Sequence, residues 1–191
     1  KGLTRHWVVD CTATADYAEA ELGIPRDRIS VRPLFIADPG RPTAVPWDGS
    51  GRYRIGSLGR LHRNKRYDVL IRAAALIRDR DPSLADRLEF VVAGVGPEHR
   101  ALEEMARARG LENVRFVGFI DDAPAFLAGL HAYVQPSHHE GLCIAVHEAM
   151  LAGLPVVGTA VGELPRSLGD DGSRGLLCAV EVADGLAAAL T

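Results

Sequence analysis

The chain has 191 residues, 47% of them hydrophobic, enough to bury a full core and form one complete domain with a remnant of another. Its 22 basic and 25 acidic residues give a net charge of −3, which argues against a nucleic-acid-binding protein that neutralises phosphates over a broad surface. We find no signal peptide and no apolar run of membrane-spanning length. Three cysteines, far apart and without a C-x-x-C pair, favour neither a disulfide framework nor structural zinc, and we expect a reduced, cytoplasmic setting.

The first 51 residues are typical of the end of one unit followed by a linker. Their predicted elements are an apolar run from Trp7 to Cys11, a helix from Ala15 to Leu22 capped by Thr12 or Thr14, and a strand from Ile29 to Leu34. Prolines and glycines between Ala37 and Gly51 indicate a linker. We therefore predict a domain remnant with its linker over residues 1–45 and a second domain over residues 46–191, and we expect the chain to be a piece of a longer protein.

Beyond the linker, strands and helices alternate regularly. The predicted strands are Arg52 to Leu58, Leu88 to Ala93, Val114 to Val117, Ala132 to Gln135, Pro155 to Gly158 and Gly175 to Cys178; the predicted helices are Tyr67 to Arg80, Glu98 to Arg109, Ala123 to Gly129, Ile144 to Leu154 and Asp184 to Leu190. Continuous Val/Ile/Leu strands separated by helices predict an α/β fold with a doubly wound, Rossmann-like parallel sheet. Such a sheet binds ligands beyond the carboxyl ends of its strands.

The loop after the first strand of this sheet carries two cations. Arg60 and Lys65 lie five residues apart, after a glycine-introduced turn at Gly59, so both side chains can reach one anion. Lysine occurs only at positions 1 and 65, whereas arginine is common, and a compact ammonium is suited to a point contact with phosphate. The alternative is a solvated basic patch with no ligand.

Two further loops contain glycines that a ligand could approach. Gly94 and Gly96 follow the second strand and open a helix, although a G-x-G pair is also compatible with a plain tight turn. This pair lacks the third glycine of a dinucleotide fingerprint, which argues against nicotinamide binding. After the third strand come Gly118, Phe119 and Ile120, which form either a shelf for a planar base or a hydrophobic turn.

The stretch SHHEGLCIAVHEAMLAGLP, residues 137–155, has the strongest functional pattern. Glu140 precedes Gly141, and a second glutamate, Glu148, follows inside a predicted helix. The other residues of this helix are nearly all apolar or small, which predicts a helix buried on most of its circumference. A carboxylate in such surroundings needs a hydrogen-bonding partner, which a ligand's hydroxyl groups can supply. The start of the helix, near Gly141 to Ala145, offers unpaired backbone N–H groups and the positive end of the helix dipole to an anion.

Simpler interpretations of the same stretch remain open. Ser137 and Glu140 have the spacing of a capping box that only closes the start of a helix, and Glu148 could pair with a neighbouring arginine. A zinc motif is disfavoured because the positions three residues after each His-Glu pair are Cys143 and Leu151. We therefore predict no metal site.

Several short motifs, taken in order, resemble the carboxyl-terminal half of glycosyltransferase family 4. These are G-R-L-x-x-x-K at Gly59 to Lys65, G-x-G-P at Gly94 to Pro97, V-x-F-x-G at Val114 to Gly118, and P-S-x-x-E-G followed by E-A-M-x-x-G-x-P-V-V from Pro136 to Val157. The resemblance covers about 140 residues. It implies one half of a two-domain GT-B fold, with most of the amino-terminal acceptor domain absent from this chain.

The resemblance also implies a role for each matching residue. Arg60 and Lys65 would neutralise the pyrophosphate of a nucleoside diphosphate sugar, Glu140 would contact the donor sugar, and Glu148 would accept hydrogen bonds from the ribose. Backbone groups of Gly141, Leu142, Cys143 and Ile144 would bind the sugar or the distal phosphate, and Gly118 to Ile120 would hold the base. Family members retain the anomeric configuration and generally need no bound metal or other cofactor. UDP, GDP and ADP are the candidate nucleotides.

Four residues depart from the family pattern. Cys143 and Glu163 replace glycines, Arg66 stands where glycine is frequent, and Arg166 stands where glutamate is usual. We expect the chain alone to bind nucleotide without transferring sugar. The alternatives are a non-catalytic module that docks a partner and a GT-B nucleotide-sugar epimerase. The acceptor, whether glycan, lipid or small molecule, and contact with a membrane periphery through the missing domain are not specified by the sequence.

Overall fold

A computed structural model describes residues 4–34, 36, 40, 42–169 and 171–191 of the chain. Its strands are β1 (Trp7–Val9), β2 (Ile29–Val31), β3 (Tyr53–Leu58), β4 (Leu88–Ala93), β5 (Val114–Gly118), β6 (Ala132–Gln135), β7 (Val156–Thr159) and β8 (Leu176–Cys178). Its α-helices are α1 (Thr12–Ala20), α2 (Tyr67–Arg80), α3 (Pro82–Arg87), α4 (His99–Ala108), α5 (Ala123–Ala128), α6 (Ile144–Leu151), α7 (Leu164–Leu168) and α8 (Ala183–Ala189). Short 3₁₀ turns lie at Arg26–Arg28 and Arg63–Lys65.

The main sheet has six parallel strands in the order β5-β4-β3-β6-β7-β8. Numbered within the sheet, this order is 3-2-1-4-5-6, which is the doubly wound arrangement. The chain therefore enters this sheet at β3, winds outward through β4 and β5, and then returns to β6 on the other side of β3. The carboxyl ends of β3 and β6 flank the point where the winding reverses, and ligands bind at this point in such sheets.

Two apolar clusters cover the two faces of the sheet. One joins α2, α4 and α8 to strand residues such as Phe90 and Val92, all of them buried. The other joins α5, α6 and α7 around Tyr133, Val146 and Val156. Helices thus lie on both faces, as the near-continuous burial of β4, β6 and β7 requires. The predicted α/β, doubly wound parallel sheet is confirmed.

Element bounds agree with the predictions best where burial is continuous. The bounds of α2, β4 and β6 are those predicted, whereas α3 and α7 were not predicted at all. Helix α3 begins because Asp81 accepts a hydrogen bond from the backbone N–H of Leu84 at 3.0 Å and Pro82 occupies the first turn. Helix α1 begins at Thr12, earlier than predicted, and its cap is Cys11, whose Sγ accepts the N–H of Thr14.

The amino-terminal segment forms a separate parallel pair, β1 with β2, joined by α1. Within the predicted linker, residues 42–51 contain neither helix nor strand, and residues 37–39 and 41 lie outside the described part of the chain. The division into residues 1–45 and 46–191 stays a prediction. In the part of the chain that the structure describes, no helix is both long enough and apolar enough to cross a bilayer.

Candidate functional site

An ion pair between Lys65 and Glu140 lies where the sheet reverses its winding. Lys65 comes from the loop after β3 and Glu140 from the loop after β6, and Lys65 Nζ lies 2.6 Å from Glu140 Oε1. The side chains are 24% and 8% exposed, respectively. The fold therefore brings together two of the three residues predicted to be catalytic, although they are 75 positions apart in the chain.

Two buried side chains donate hydrogen bonds to the same carboxylate oxygen of Glu140. Glu140 Oε1 also accepts hydrogen bonds from Ser137 Oγ at 2.5 Å and from Gln135 Nε2 at 3.1 Å. Among the described residues, Oε2 of Glu140 has no hydrogen-bond partner. One oxygen is thus fully occupied while the other is available to a ligand. The capping-box interpretation was wrong, because the Ser137 hydroxyl bonds to the carboxylate and α6 begins only at Ile144.

The hydrogen-bonded network continues into the core. Gln135 Nε2 donates to Ser137 Oγ at 2.8 Å, and Gln135 Oε1 accepts from the hydroxyl of Tyr133 at 2.8 Å. The hydroxyl of Thr159, at the end of β7, donates to the backbone oxygen of Ser137 at 2.5 Å. Burial raises the pKa of Tyr133 well above its ordinary value, so this phenol remains a donor. This support was not predicted from the sequence, although the glutamine at the end of the apolar strand β6 is a signal for it.

Arg60 lies in the same loop as Lys65. Its side chain is exposed and makes no ion pair or hydrogen bond with the described residues. The Lys65 side chain passes over Gly59, with its Cε 3.7 Å from the position that a Cβ atom on Gly59 would occupy. The same short loop therefore carries Arg60, which has no counter-ion among the described residues, and Lys65, which is paired with Glu140.

The loop leading into α6 has a strained start. Cys143 precedes the helix with a φ of 57°, the left-handed region that favours glycine, so the backbone here suits the glycine that the resemblance leads one to expect. Burial and then the charge of Glu140 raise the pKa of the Cys143 thiol to about 12. The thiol therefore stays protonated and acts as a small apolar group rather than a nucleophile.

Helix α6 is less buried than the sequence predicted. Ile144 and Leu151 are 42% and 38% exposed, respectively, while Val146 and Ala149 are buried against the sheet. Glu148 is half-buried, one turn after the start of the helix. The expectation of a helix buried on most of its circumference was wrong, because one side of α6 faces outward.

The glycines after β4 have a role that the sequence did not reveal. A Cβ atom on Gly94 would lie 1.9 Å from the backbone oxygen of Gly59, and one on Gly96 would lie 2.2 Å from that of Leu61. Gly59 and Leu61 also donate backbone hydrogen bonds to Ala93 and Val95. Both glycines are therefore needed so that the loop carrying Arg60 and Lys65 can pack directly on the loop after β4.

The loop after β5 presents an exposed apolar edge. Gly118 has a φ of 75° with open space around it, and its backbone oxygen accepts the N–H of Gly94 at 2.7 Å. Phe119 is 70% exposed, Ile120 is partly buried, and Val95 from the neighbouring loop is also exposed. This edge offers both apolar surface and backbone polar groups to a planar ligand.

Two departures from the family pattern contact the amino-terminal segment. Glu163 Oε2 accepts the backbone N–H of Ala13, near the start of α1, at 2.8 Å. Arg166 pairs with Asp16 of α1 at 3.2 Å. Both substitutions therefore connect α7 and the residue before it to a segment about 150 positions earlier in the chain.

A cavity of about 490 Å³ behind the loop of Lys65 has charged walls, but its main charges are already paired. Arg66, in the left-handed conformation at the start of α2, binds Asp68 through two hydrogen bonds and also binds Glu181. Glu181 in turn lies 3.0 Å from His138. Among the described residues, no group of three or more His, Cys, Asp or Glu side chains is arranged to hold a metal ion.

Known proteins match most of the chain. A family model described as glycosyl transferases group 1 matches residues 52–191. The D-inositol 3-phosphate glycosyltransferase of Salinispora tropica is 40% identical over 128 residues, which are 62% of this chain and 26% of that protein. The 2-deoxystreptamine glucosyltransferase of Streptomyces kanamyceticus is 32% identical over 170 residues, 82% of this chain and 43% of that protein. The chain thus spans less than half the length of these relatives.

Solved structures share the fold. The HepE protein of Anabaena in complex with UDP and glucose has a TM-score of 0.81 at 22% identity, covering 96% of this chain and 52% of that one. The carboxyl-terminal domain of a glycosyl transferase group 1 family protein from Francisella tularensis has a TM-score of 0.64 at 30% identity, covering 73% of this chain and 74% of that one. The architecture is that of one half of a GT-B protein, as expected.

Proposed function

Because this chain belongs to the glycosyl transferases group 1 family, we propose that it is the part that binds the nucleotide-sugar donor in a retaining glycosyltransferase. The family resemblance seen in the sequence is confirmed. The observation that carries the finer proposal is the Lys65–Glu140 pair, at the switch point of a doubly wound sheet, where ligands of such folds bind.

The cations of this site are suited to the leaving group. Cleavage of the bond between a sugar and a diphosphate builds negative charge on the diphosphate, and fixed cations that meet this charge stabilise the transition state. Arg60 has no counter-ion among the described residues, and Lys65 can share its ammonium between Glu140 and a phosphate oxygen. Each such charge-assisted contact contributes about 1.5 to 3 kcal/mol.

The remaining groups can receive the rest of the donor. Oε2 of Glu140 would accept a hydrogen bond from a sugar hydroxyl, and the backbone from Gly141 to Ile144 would hold the sugar or the distal phosphate. Glu148 would accept from the ribose, and the base would lie on the edge formed by Gly118, Phe119 and Ile120. No metal or other cofactor is invoked in this arrangement.

The names of the relatives suggest the substrates. Transferases acting on D-inositol 3-phosphate and on 2-deoxystreptamine both modify a polyhydroxylated ring, and two of them transfer glucose or N-acetyl-D-glucosamine. HepE was solved with UDP. We therefore infer a UDP-hexose donor and a small polyol acceptor that binds mainly outside this chain, in an enzyme working in the cytoplasm.

A melting screen tests the donor proposal. At about one hundred times its dissociation constant, a ligand stabilises the folded state by about 2.7 kcal/mol, which raises the melting temperature measurably. We expect UDP or UDP-glucose to produce this shift in the 191-residue chain. Arg60→Met should reduce the shift, whereas Arg100→Met, at an exposed position of α4, should not. The absence of any shift with UDP, GDP, ADP and their sugars would contradict the proposal.

The chain alone should not transfer sugar. We infer that most of the acceptor-binding region lies outside it, since the chain spans 43% of the 2-deoxystreptamine glucosyltransferase of Streptomyces kanamyceticus. With UDP-glucose and 2-deoxystreptamine or D-inositol 3-phosphate as acceptors, chromatography should detect no glucosylated product. Product formation by this chain would refute the expectation while leaving donor binding intact.

A further inference from the structure

The amino-terminal segment carries a carboxylate to the edge of the site. Asp10 follows the last residue of β1, and both of its oxygens lie close to Gly141, the residue after Glu140. The position that a Cβ atom on Gly141 would occupy is 3.8 and 3.9 Å from the Asp10 oxygens and 3.4 Å from Thr14 Oγ1. Asp10 therefore lies beside the residue that directly follows Glu140 in the chain.

Asp10 is half-buried and only partly satisfied by the protein. Its Oδ1 accepts a hydrogen bond from Thr14 Oγ1 at 3.2 Å. Its Oδ2 has no hydrogen-bond partner among the described residues. This pattern matches that of Glu140, with one oxygen fixed by the protein and the other available. A carboxylate oxygen in this state is a strong acceptor for a ligand hydroxyl.

Glu163 links the segment that carries Asp10 to the loop that contains Gly141. Its carboxylate binds the N–H of Ala13, and its own backbone N–H donates to the oxygen of Gly141 at 3.1 Å. The Glu163 side chain is 13% exposed, so its charge-assisted hydrogen bond is little screened. One residue thus contacts both the segment that carries Asp10 and the loop that carries Glu140.

We propose that Asp10 accepts a hydrogen bond from a hydroxyl of the donor sugar, and that Glu163 is the residue that positions it. This rests on the proposed function, in which the sugar lies against the backbone from Gly141 to Ile144. A contact from Asp10 would reach the sugar but not the nucleotide. It would therefore distinguish UDP-glucose from UDP.

Calorimetric titration of the 191-residue chain with UDP and with UDP-glucose separates the two contributions. Asp10→Asn should raise the dissociation constant of UDP-glucose about tenfold, the equivalent of one charge-assisted hydrogen bond, and should change that of UDP less than about twofold. Asp27→Asn makes the same change of charge at an exposed position of the same segment and should alter neither constant. Asp10→Ser serves as a second variant should the asparagine variant fail to fold.

A second pair of variants tests the positioning role. Glu163→Ala removes the acceptor for Ala13 N–H and should weaken UDP-glucose binding while leaving UDP binding unchanged, whereas Glu163→Gln retains an acceptor oxygen and should restore most of the affinity. Equal losses for UDP and UDP-glucose, or identical constants for Asp10→Asn and Asp27→Asn, would overturn the inference and leave the proposed function standing. A wild-type chain that binds neither UDP nor UDP-glucose would overturn both.

Discussion

Two partly buried glutamates at opposite ends of the same sheet illustrate what separates a structural ion pair from a binding site. Glu89 lies near the amino end of β4, where its two oxygens bind Arg115 at 3.0 Å and Arg54 at 2.9 Å. Glu140 lies beyond the carboxyl end of β6, and its three hydrogen bonds all converge on one oxygen. The side chains are similarly buried, 11% and 8% exposed, respectively.

The difference lies in which atoms the protein leaves unsatisfied. Burial alone would raise the pKa of Glu89, but the hydrogen bonds from Arg115 and Arg54 hold it below its ordinary value. Those arginines come from the strands on either side, so Glu89 ties three adjacent strands together. Glu140 binds a loop lysine and a hydrogen-bonded network that ends in the core. All of these contacts use one carboxylate oxygen, so the other oxygen is available to a ligand. We infer that the first cluster serves stability and the second serves binding.

Removal of Lys65 should have the largest effect on stability. Lys65→Met leaves Glu140 buried without its counter-charge, and the free energy of unfolding should fall by about 3 kcal/mol. Urea denaturation at neutral pH measures this change. Adding Glu140→Gln to the variant should recover most of the loss, since the uncompensated charge is then gone. A Lys65→Met variant as stable as the wild type would show that Glu140 does not depend on this lysine, and the comparison would fail.

Substitution of Glu89 should have a smaller effect and no effect on binding. Its arginine partners are more than half exposed, so Glu89→Gln should lower the free energy of unfolding by about 1 kcal/mol and leave the affinity for UDP unchanged. Because the pKa of Glu89 is lowered in the folded state, its contribution is present above the ordinary value of 4.5 and is lost as the pH falls below it.

The pH dependence of the free energy of unfolding tests whether Glu89 is ionised in the folded state. Urea denaturation of the wild type and of Glu89→Gln should give stabilities that differ near pH 7, about 2.5 units above the ordinary pKa of 4.5, and that converge as the pH falls to about 2, about 2.5 units below it. A difference that grows as the pH falls would contradict the assignment of Glu89 as an ionised structural residue. Weaker UDP binding by Glu89→Gln would contradict the claim that Glu89 serves stability alone.

The sequence predicted the sheet better than the site. Helix α2 and strand β4 were placed correctly because each is a long or continuously apolar element with clear ends. Helices α3 and α7 were missed because both are short, with six and five residues, and α3 depends on a cap at Asp81. Their apolar spacing was too brief to show a helical period.

Within the site, the sequence identified charged residues but not their partners. It marked Lys65 and Glu140 without predicting that they bind each other, because the two lie on loops that only the winding of the sheet brings together. It noted the loss of glycine at Cys143 and Arg66, and both residues adopt the left-handed backbone conformation that glycine favours. It could not foresee Asp10, whose approach to Gly141 depends on how the amino-terminal segment packs.

The central claim is that Lys65 binds the donor diphosphate, and the affinity for UDP tests it most directly. Because Lys65→Met alone is expected to be unstable, the comparison is made in a Glu140→Gln background, which keeps both variants folded. Calorimetric titration should show that adding Lys65→Met weakens UDP binding about 10- to 150-fold, the loss of one charge-assisted contact. Arg100→Met in the same background should leave the dissociation constant unchanged. Equal UDP affinities with and without Lys65 would contradict the account.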